Sequence, residues 1–449
     1  MKCIEDEIPF EVPEGWAWCR LNDIYNFIDY RGATPTKTTN GIPLVTAKNV
    51  KSGYIDYTID DYISEEEFKE RQQRGISKKG DILFTTEAPL GNAALADIEK
   101  FSAGQRLITF QQYGSKNELI NYVMLMFILS DFFQQQLCVN KTGSTVAGIK
   151  AAILKTLWIP VPPYNEQLRI SNTLKSAVNL IDSISQNKEI LSTSISNTKS
   201  KILDLAIRGK LVPQDPNDEP ASVLLERIRT EKEELIKQGK IKRDKKESVI
   251  FRGDDNSYYL RTGRVEESLE DWRFDDLPET WKICCLGELC DYGDCINVNT
   301  EDIAEDAWIL DLEDIEKDTG TVLKKVTKDQ RNSVSTKHKF HSGQVLYSKL
   351  RPYLNKVVLS DADGYCTSEI LPLEFKNCVL PEYARYYLMS GTFITYANHC
   401  SYGVKMPRLG TTDGKKAIFS LPPLSEQKRI VETIDFCFMQ LNKISEALA

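Results

Sequence analysis

The chain has 449 residues, of which 41% are hydrophobic and 27% charged, so its length and composition fit a protein of several globular domains. No run of 18 or more apolar residues occurs, and residues 1–7 lack the apolar core of a secretory signal, so we expect a cytoplasmic protein without a membrane-spanning helix. The net charge of −8 argues against a uniformly basic surface of the kind that binds nucleic acid.

Residues 1–163 form the first predicted domain. Short β-type runs broken by Gly, Pro and Asn, such as 42–45, alternate with helical patches such as 119–129. This alternation predicts a mixed α/β fold. A Pro-Pro step at 162–163 ends the domain, and Asn165 is the expected N-cap of the helix that follows.

A long spacer helix is predicted at 164–207, because apolar residues recur there at the 4–3 spacing typical of a coiled-coil seam. At 1.5 Å per residue its seam would span about 60 Å. The same register continues in a second spacer helix at 422–449. The residues expected to pair the two helices are Ile170, Leu174, Ile181, Ile184, Leu191, Ile195, Ile202, Leu205, Ile430, Ile434, Leu441, Ile444 and Leu448. The alternative is that each helix packs on its own domain.

Residues 208–272 are predicted to connect the two halves of the chain. Gly209 and Pro213 end the long helix, and apolar spacing predicts a shorter helix near 221–239. The charged stretch 240–247 is expected to be solvated, and 252–257 is expected to be a loop. Because the second spacer helix is short, either this shorter helix covers the rest of the first seam, or the chain is naturally clipped.

Residues 273–421 form the second predicted domain, which contains a cysteine cluster and a basic run. The eleven cysteines of the chain include no CxxC pair, so buried free thiols in a reducing compartment are expected. A metal site at Cys284, Cys285, Cys290 and Cys295 is the alternative. Between residues 324 and 356 nine Lys or Arg accompany a single acid, Asp329, which predicts a local basic stripe.

The two halves of the chain repeat one another. Pro13-Glu14-Gly15-Trp16 recurs as Pro278-Glu279-Thr280-Trp281, 79–84 resembles 342–347, and Pro162-Pro163-Tyr164-Asn165-Glu166-Gln167 recurs as Pro422-Pro423-Leu424-Ser425-Glu426-Gln427. Collinear matches at offsets of about 265, 263 and 260 residues predict an internal duplication. The expected fold is α+β, with two similar mixed α/β domains separated by long antiparallel coiled-coil helices and related by a pseudo-twofold axis.

Sequence motifs for catalysis are missing. The sequence has no GxGxxG or GxxxxGK[ST] phosphate loop, and no Asn-Pro-Pro-Tyr element of the type used for methyl transfer to a base amine. A loose nuclease pattern of Asp56, Glu67 and Lys69 falls in a stretch that favours an exposed helix. The three histidines leave little scope for histidine-based catalysis. We therefore expect a binding protein that itself holds neither cofactor nor metal.

The order of domain, Pro-Pro-x-x-Glu-Gln helix, domain and Pro-Pro-x-x-Glu-Gln helix resembles the specificity subunits of type I restriction–modification enzymes. Stretches 209–216 and 350–356 are similar to that family too. The resemblance implies two target recognition domains that each read half of a split site in double-stranded DNA. It also implies helices that space these domains and dock two methyltransferase subunits. S-adenosylmethionine, ATP and Mg²⁺ would belong to those adenine-methylating partners and to separate restriction subunits.

Candidate DNA contacts are chosen by residue type, since Arg and Lys suit phosphate or guanine and Asn suits adenine. In the second domain they are Lys349, Arg351, Tyr353, Asn355 and Lys356. The same register in the first domain carries no basic residue. The candidates there are Thr85, Thr86, Asn92, Arg106, Lys141, Thr142 and Ser144. Loop and fold roles are the alternative for each residue, and a non-catalytic protein-binding scaffold is the alternative function.

Overall fold

The computed structural model describes residues 7–30, 34–58, 60–113, 119–142, 147–240, 248–255, 257–269, 277–331 and 334–448. The chain divides into two compact units, Met1–Ser185 and Gln186–Ala449, with the division inside one long helix. Among these described residues no single helix is long and apolar enough to cross a membrane, although the bent pair Asn121–Ile128 and Asp131–Asn140 passes that test by length and composition.

The first unit is built on mostly antiparallel strands, with β3 and β7 paired in parallel, and short helices back them. Its strands are β1 (Ala17–Arg20), β2 (Tyr25–Asp29), β3 (Ile42–Val45), β4 (Tyr62–Ile63), β5 (Ile82–Thr86), β6 (Leu90–Leu95), β7 (Ser102–Ala103), β8 (Leu107–Gln112) and β9 (Trp158–Val161). Its helices are α1 (Leu21–Ile24), α2 (Glu65–Arg71), α3 (Asn121–Ile128), α4 (Asp131–Asn140), α5 (Ala151–Leu154) and the start of α6 (Tyr164–Ile207). The sheet order is β2-β8-β5-β6, with β4-β3-β7 and β1-β9 beside it. Phe84, Phe110 and Phe133 belong to the buried cluster that joins this sheet to α3 and α4.

The second unit repeats this plan and adds an insert. Its strands are β10 (Ser248–Arg252), β11 (Tyr258–Thr262), β12 (Val265–Ser268), β13 (Lys282–Cys285), β14 (Ile296–Val298), β15 (Trp308–Leu310), β16 (Val326–Thr327), β17 (Lys337–Phe340), β18 (Val345–Ser348), β19 (Val357–Leu359), β20 (Gly364–Thr367), β21 (Ile370–Leu373) and β22 (Ile418–Leu421). Its helices are α7 (Ala221–Lys237), α8 (Leu286–Leu289), α9 (Pro381–Leu388), α10 (Gly391–His399), α11 (Thr411–Lys416) and α12 (Leu424–Ala447). The sheet orders are β14-β17-β20-β15-β16, β19-β18-β21 and β13-β22.

Strand pairing confirms the internal repeat. β1 pairs antiparallel with β9, and β13 pairs antiparallel with β22 in the corresponding register. Likewise β5 lies between β6 and β8, as β18 lies between β19 and β21. The repeated sequence blocks therefore form the same strands in both units, and the predicted α+β fold with two mixed domains is confirmed.

The insert contains a small sheet that no pattern in the sequence predicted. Strands β10, β11 and β12 form an antiparallel meander, and 253–255 lies in the turn between the first two. Ile250 and Leu260 share a buried cluster with Ile283 and Ile418 of the second domain. Only part of 252–257 is therefore a loop, since Arg252 ends β10 and residue 256 lies outside the described part of the chain.

The residues of the predicted helix seam are buried to different degrees in the first and second units. Ile170 packs against the core of the first unit, and Leu174 is partly buried, whereas Ile181, Ile184 and Leu191 are exposed. The seam residues of the second unit are mostly covered. Three are buried, namely Ile195, Ile430 and Ile434. Four are partly buried, namely Ile202, Leu205, Leu441 and Leu448, and Ile444 is exposed. Because Ile202, Ile430 and Ile434 belong to the second domain's core cluster, part of the seam packs on a globular domain.

One contact supports helix pairing within the second unit. The Lys199 ammonium of α6 donates to the Asn442 side chain of α12 at 2.6 Å and lies 5.6 Å from the ring centre of Phe438. Pairing along the full seam, from Ile170 to Leu448, stays a prediction.

Candidate nucleic-acid interface

Three loops of the second unit are joined at one end of its sheets, and we call them the second platform: 349–355, 367–369 and 402–408. The backbone N–H of Lys349 donates to the Glu369 carbonyl at 3.0 Å, and the N–H of Leu409 donates to the Lys349 carbonyl at 3.0 Å. The N–H of Arg351 donates to the Pro407 carbonyl at 2.7 Å. Backbone bonds thus link loops that are far apart in sequence.

Side chains brace this platform. The Arg408 guanidinium donates to the Glu369 carboxylate at 2.8–3.1 Å, the fork geometry that is specific to arginine and carboxylate. Tyr402 and Arg408 exchange backbone hydrogen bonds of 3.1 and 2.9 Å, which closes 402–408 into a hairpin. The hairpin is therefore held at its base by the protein itself.

The first unit has the same frame, which we call the first platform: 86–91, 104–106 and 142–148, of which 143–146 lie outside the described residues. The N–H of Thr86 donates to the Arg106 carbonyl at 3.1 Å, and the N–H of Ile149 donates to the Thr86 carbonyl at 3.0 Å. Thr142 and Gly148 exchange backbone bonds of 2.8 and 3.0 Å. Each of these bonds has its counterpart in the second platform.

The matching bonds pair residues of different chemistry. Lys349 corresponds to Thr86, Arg351 to Ala88, and Glu369 to Arg106. Arg351 and Ala88 share an unusual left-handed backbone, with φ of 50° and 43°. A common backbone frame with different side chains is a suitable design for two related surfaces that bind different partners.

The second platform brings together most of the residues predicted for that domain. Lys349 and Arg351 are partly exposed, and Tyr353 is half exposed at the tip of its turn. Asn355 is buried and donates to the Met389 carbonyl at 3.3 Å. The Lys356 ammonium donates to the Leu312 carbonyl at 2.6 Å, and burial lowers the pKa of this lysine. Asn355 and Lys356 thus support the turn, while Lys349 and Arg351 are partly accessible and Tyr353 is exposed.

In the first platform the predicted residues also divide into buried and exposed sets. Thr85 and Thr86 are fully buried, and their hydroxyls donate to the carbonyls of Asn92 and Arg106. The Asn92 amide donates to the Val50 carbonyl at 3.0 Å. Arg106, Lys141 and Thr142 are exposed, with Arg106 3.1 Å from the Glu87 carboxylate. Ser144 lies outside the described residues.

The basic run does not form the free stripe that the sequence predicts. Arg331 lies 2.5 Å from both Asp311 and Asp314, Lys325 lies 2.7 Å from Asp361, and Lys328 lies 3.0 Å from Glu305. The four acidic partners lie outside residues 324–356. The charge count for that stretch of sequence therefore did not include them. Much of the positive charge is thereby neutralised.

Buried thiols account for much of the cysteine cluster. Cys284, Cys285 and Cys290 are buried, and burial raises the pKa of the Cys284 and Cys290 thiols. Within the described ranges no group of three or more His, Cys, Asp or Glu side chains is arranged to hold a metal ion.

The exposed tip of the second hairpin was not among the candidates predicted from the sequence. Tyr402, Val404, Lys405 and Met406 are exposed there. The signal that could have found them was the duplication, because Thr142 and Ser144 were already candidates and correspond to Tyr402 and Val404.

Two copies of one loop frame, each on its own mixed domain, define a duplicated binding protein with two related surfaces. A family model for the type I restriction modification DNA specificity domain matches residues 13–192 and again residues 278–447. The chain therefore belongs to the type I restriction–modification specificity family.

Curated relatives agree with this assignment, and solved structures have a similar fold. The chain is 26% identical to the type I restriction enzyme EcoAI specificity subunit of Escherichia coli, over 98% of this chain and 80% of that protein. It is 25% identical to the type I restriction enzyme EcoEI specificity subunit of Escherichia coli, over 100% of this chain and 82% of that protein. The fold is similar to the HsdS subunit from Thermoanaerobacter tengcongensis, with a TM-score of 0.52 at 16% identity over 98% of this chain and 93% of that one. The fold is also similar to a chain in a structure that describes complex assembly and conformational transition of the type I R-M system. The TM-score is 0.57 at 16% identity, over 98% of this chain and 94% of that one.

Proposed function

We propose that this chain is the DNA-reading subunit of a type I restriction–modification complex and that each platform reads one half of a split site in double-stranded DNA. The observation that carries the proposal is the pair of matching backbone frames with different side chains at Arg351 and Ala88, and at Glu369 and Arg106. A fixed frame positions side chains, and different side chains recognise different base edges.

The accessible residues of the two platforms suit nucleic acid. Lys349 and Arg351 can contact phosphate or guanine, and Tyr353 adds a planar ring beside them. In the first platform Arg106, Lys141 and Thr142 supply cationic and hydroxyl groups. These six residues form our proposed contact set. The buried candidates Thr85, Thr86 and Asn355 and the partly buried Asn92 and Lys356 support the loops that carry it.

We further propose that α6 and α12 space the two readers and dock partner subunits. The exposed apolar residues Leu180, Ile181 and Ile184 of α6 offer a surface for a helix of another chain. Those partners would be two methyltransferase subunits that bind S-adenosylmethionine and methylate adenine. Separate restriction subunits would use ATP and Mg²⁺, and this chain would hold no cofactor and catalyse no step.

Exchanging one domain tests this function. Residues 278–421 are replaced by the matching domain of another specificity subunit, and methylated adenines are mapped by sequencing DNA from a host with the partner subunits. We expect one half of the methylated motif to change and the other half to remain. The reciprocal exchange of 13–161 should change the other half. If either exchange altered both halves, or neither, the two domains would not be independent readers of DNA.

A further inference from the structure

The tip of the second hairpin presents apolar side chains to solvent. Val404 is fully exposed, and Met406 and Tyr402 are 43% and 61% exposed. Exposed apolar groups gain free energy when a partner covers them, so a tip of this kind favours an apolar contact.

The base of this hairpin is fixed by contacts within the protein. The Tyr402–Arg408 bonds close the hairpin, Arg408 is clamped to Glu369, and Pro407 accepts from the Arg351 N–H at 2.7 Å. Gly403 takes a φ of 94°, which glycine adopts without the strain that a side chain would add. A pre-ordered loop loses little conformational entropy on binding.

Three cations lie on the tip or on the loop hydrogen-bonded to its hairpin. Among the described residues, no acidic group lies within 4.0 Å of the charged atoms of Lys349, Arg351 or Lys405. An apolar point flanked by unneutralised cations suits a polyanion that also carries an apolar group. Duplex DNA meets both conditions, because phosphates line its grooves and the thymine C5 methyl is the apolar group on the major-groove edges of its bases.

We propose that Val404 determines specificity by contacting the C5 methyl group of a thymine in the half-site that the second unit reads. The proposal rests on the proposed function and adds the chemistry of one contact. The major groove is about 12 Å wide and admits a two-stranded β-ribbon, so a short loop closed by the single Tyr402–Arg408 bridge can also enter it and reach base edges.

The corresponding tip of the first unit has different chemistry. Its sequence is Gly143-Ser144-Thr145-Val146, against Gly403-Val404-Lys405-Met406 in the second. Ser144 lies outside the described residues, so this contrast rests on sequence alone. A hydroxyl at the position of Val404 favours hydrogen bonding to base edges, and we therefore expect the two half-sites to be read by different interactions.

Removing the methyl group from DNA tests the contact. The methylated motif is first mapped in the host, and the chain in complex with its methyltransferase partners is then titrated with unmethylated duplexes of that motif. Each thymine of the second half-site is replaced in turn by deoxyuridine, which lacks only the C5 methyl. We expect one replacement to weaken binding about fourfold, equal to about 0.8 kcal/mol. In Val404→Ser the same replacement should have no effect.

A matched control separates this contact from general surface effects. Val265→Ser changes another exposed valine, on β12 of the insert, and should keep the fourfold preference for thymine. If wild type prefers its motif over scrambled DNA but ignores every deoxyuridine, the methyl contact is wrong and the DNA-reading function stands. Equal weakening of thymine and deoxyuridine duplexes by Val404→Ser would also overturn the contact. No preference for the motif at all would instead refute the proposed function.

Discussion

The side-chain carbonyl of Gln427 accepts a hydrogen bond from the backbone N–H of Leu380 at 2.8 Å. Gln167 makes the same bond to Ile120 in the first unit, also at 2.8 Å. Each glutamine amide in turn donates to the first proline carbonyl of its Pro-Pro step, Pro422 at 3.1 Å and Pro162 at 2.9 Å. The repeated Glu-Gln motif therefore anchors the first turn of each spacer helix to the domain that precedes it.

Removing this anchor should destabilise the second unit. Gln427 is fully buried and also donates to the Cys378 carbonyl at 2.9 Å. Gln427→Leu leaves one buried N–H and two carbonyls without this partner, so we expect a loss of about 2–4 kcal/mol in the free energy of unfolding. Denaturant unfolding measures the loss. Gln440→Leu, at an exposed position of the same helix, should change stability by less than about 0.5 kcal/mol. Equal losses in both variants would show that the buried anchor has no special role.

Arg351→Ala should weaken DNA binding without disturbing the turn. Alanine already occupies the corresponding position in the first unit, at Ala88, with a similar φ. Loss of a base contact should cost about 1–3 kcal/mol and relax one position of the second half-site. Binding titrations of the complex with DNA at two salt concentrations check this, with Arg264→Ala as the control on the exposed turn of the insert. Unchanged affinity at both salt concentrations would remove Arg351 from the interface.

The stability of the second unit should fall as the pH drops below about 6.5. Burial lowers the pKa of His338 from its ordinary value of 6.5, and Lys349 adds to this effect. The unfolded chain then binds more protons than the folded chain, so the stabilisation is present above pH 6.5 and is lost as the pH falls through and below that value. The slope is at most about 1.4 kcal/mol per pH unit.

Unfolding at pH 7.5 and 5.5 measures this dependence. His338→Gln should be less sensitive to pH over this range than wild type, whereas His399→Gln, at an exposed position, should match wild type. The assignment to His338 fails if its variant keeps the full wild-type dependence.

Lengthening α6 should lengthen the gap in the DNA motif. Residues 175–194 of this helix are exposed, so a duplicated copy of 179–185 inserted after Ser185 should extend the helix without displacing core residues. Seven residues add about 10 Å, close to the rise of three base pairs. Three base pairs also rotate DNA by about 100°, and the longer helix does not supply that rotation. We therefore expect a gap one to three base pairs longer, weaker binding because the complex is strained, and unchanged half-sites. Methylation mapping reports the length of the gap. A flexible Gly-Ser heptad inserted at the same point should give methylated motifs with several gap lengths. Methylation at the original gap by the helical variant would show that α6 does not set the distance.

Local signals in the sequence were enough to predict the long spacer helix and the internal duplication. Apolar spacing and the Pro-Pro step predicted a helix at 164–207, and α6 spans Tyr164–Ile207. Repeated blocks predicted two similar domains, which the strand pairing confirms. These features depend on residues a few positions apart or on comparison of one half with the other, so no knowledge of long-range contacts was needed.

The candidate interface depended on contacts that no local pattern contains. Arg331 lies in a basic run, yet it is neutralised by Asp311 and Asp314, which the fold brings to it from another loop. The second platform joins Lys349 to Leu409 across 60 positions, and only the strand order places their loops together. The sequence by itself determined that there are two copies and where their helices run. Tertiary structure decided which charges remain free and which loops form one surface, because ion pairing and loop contact depend on distance in space rather than distance along the chain.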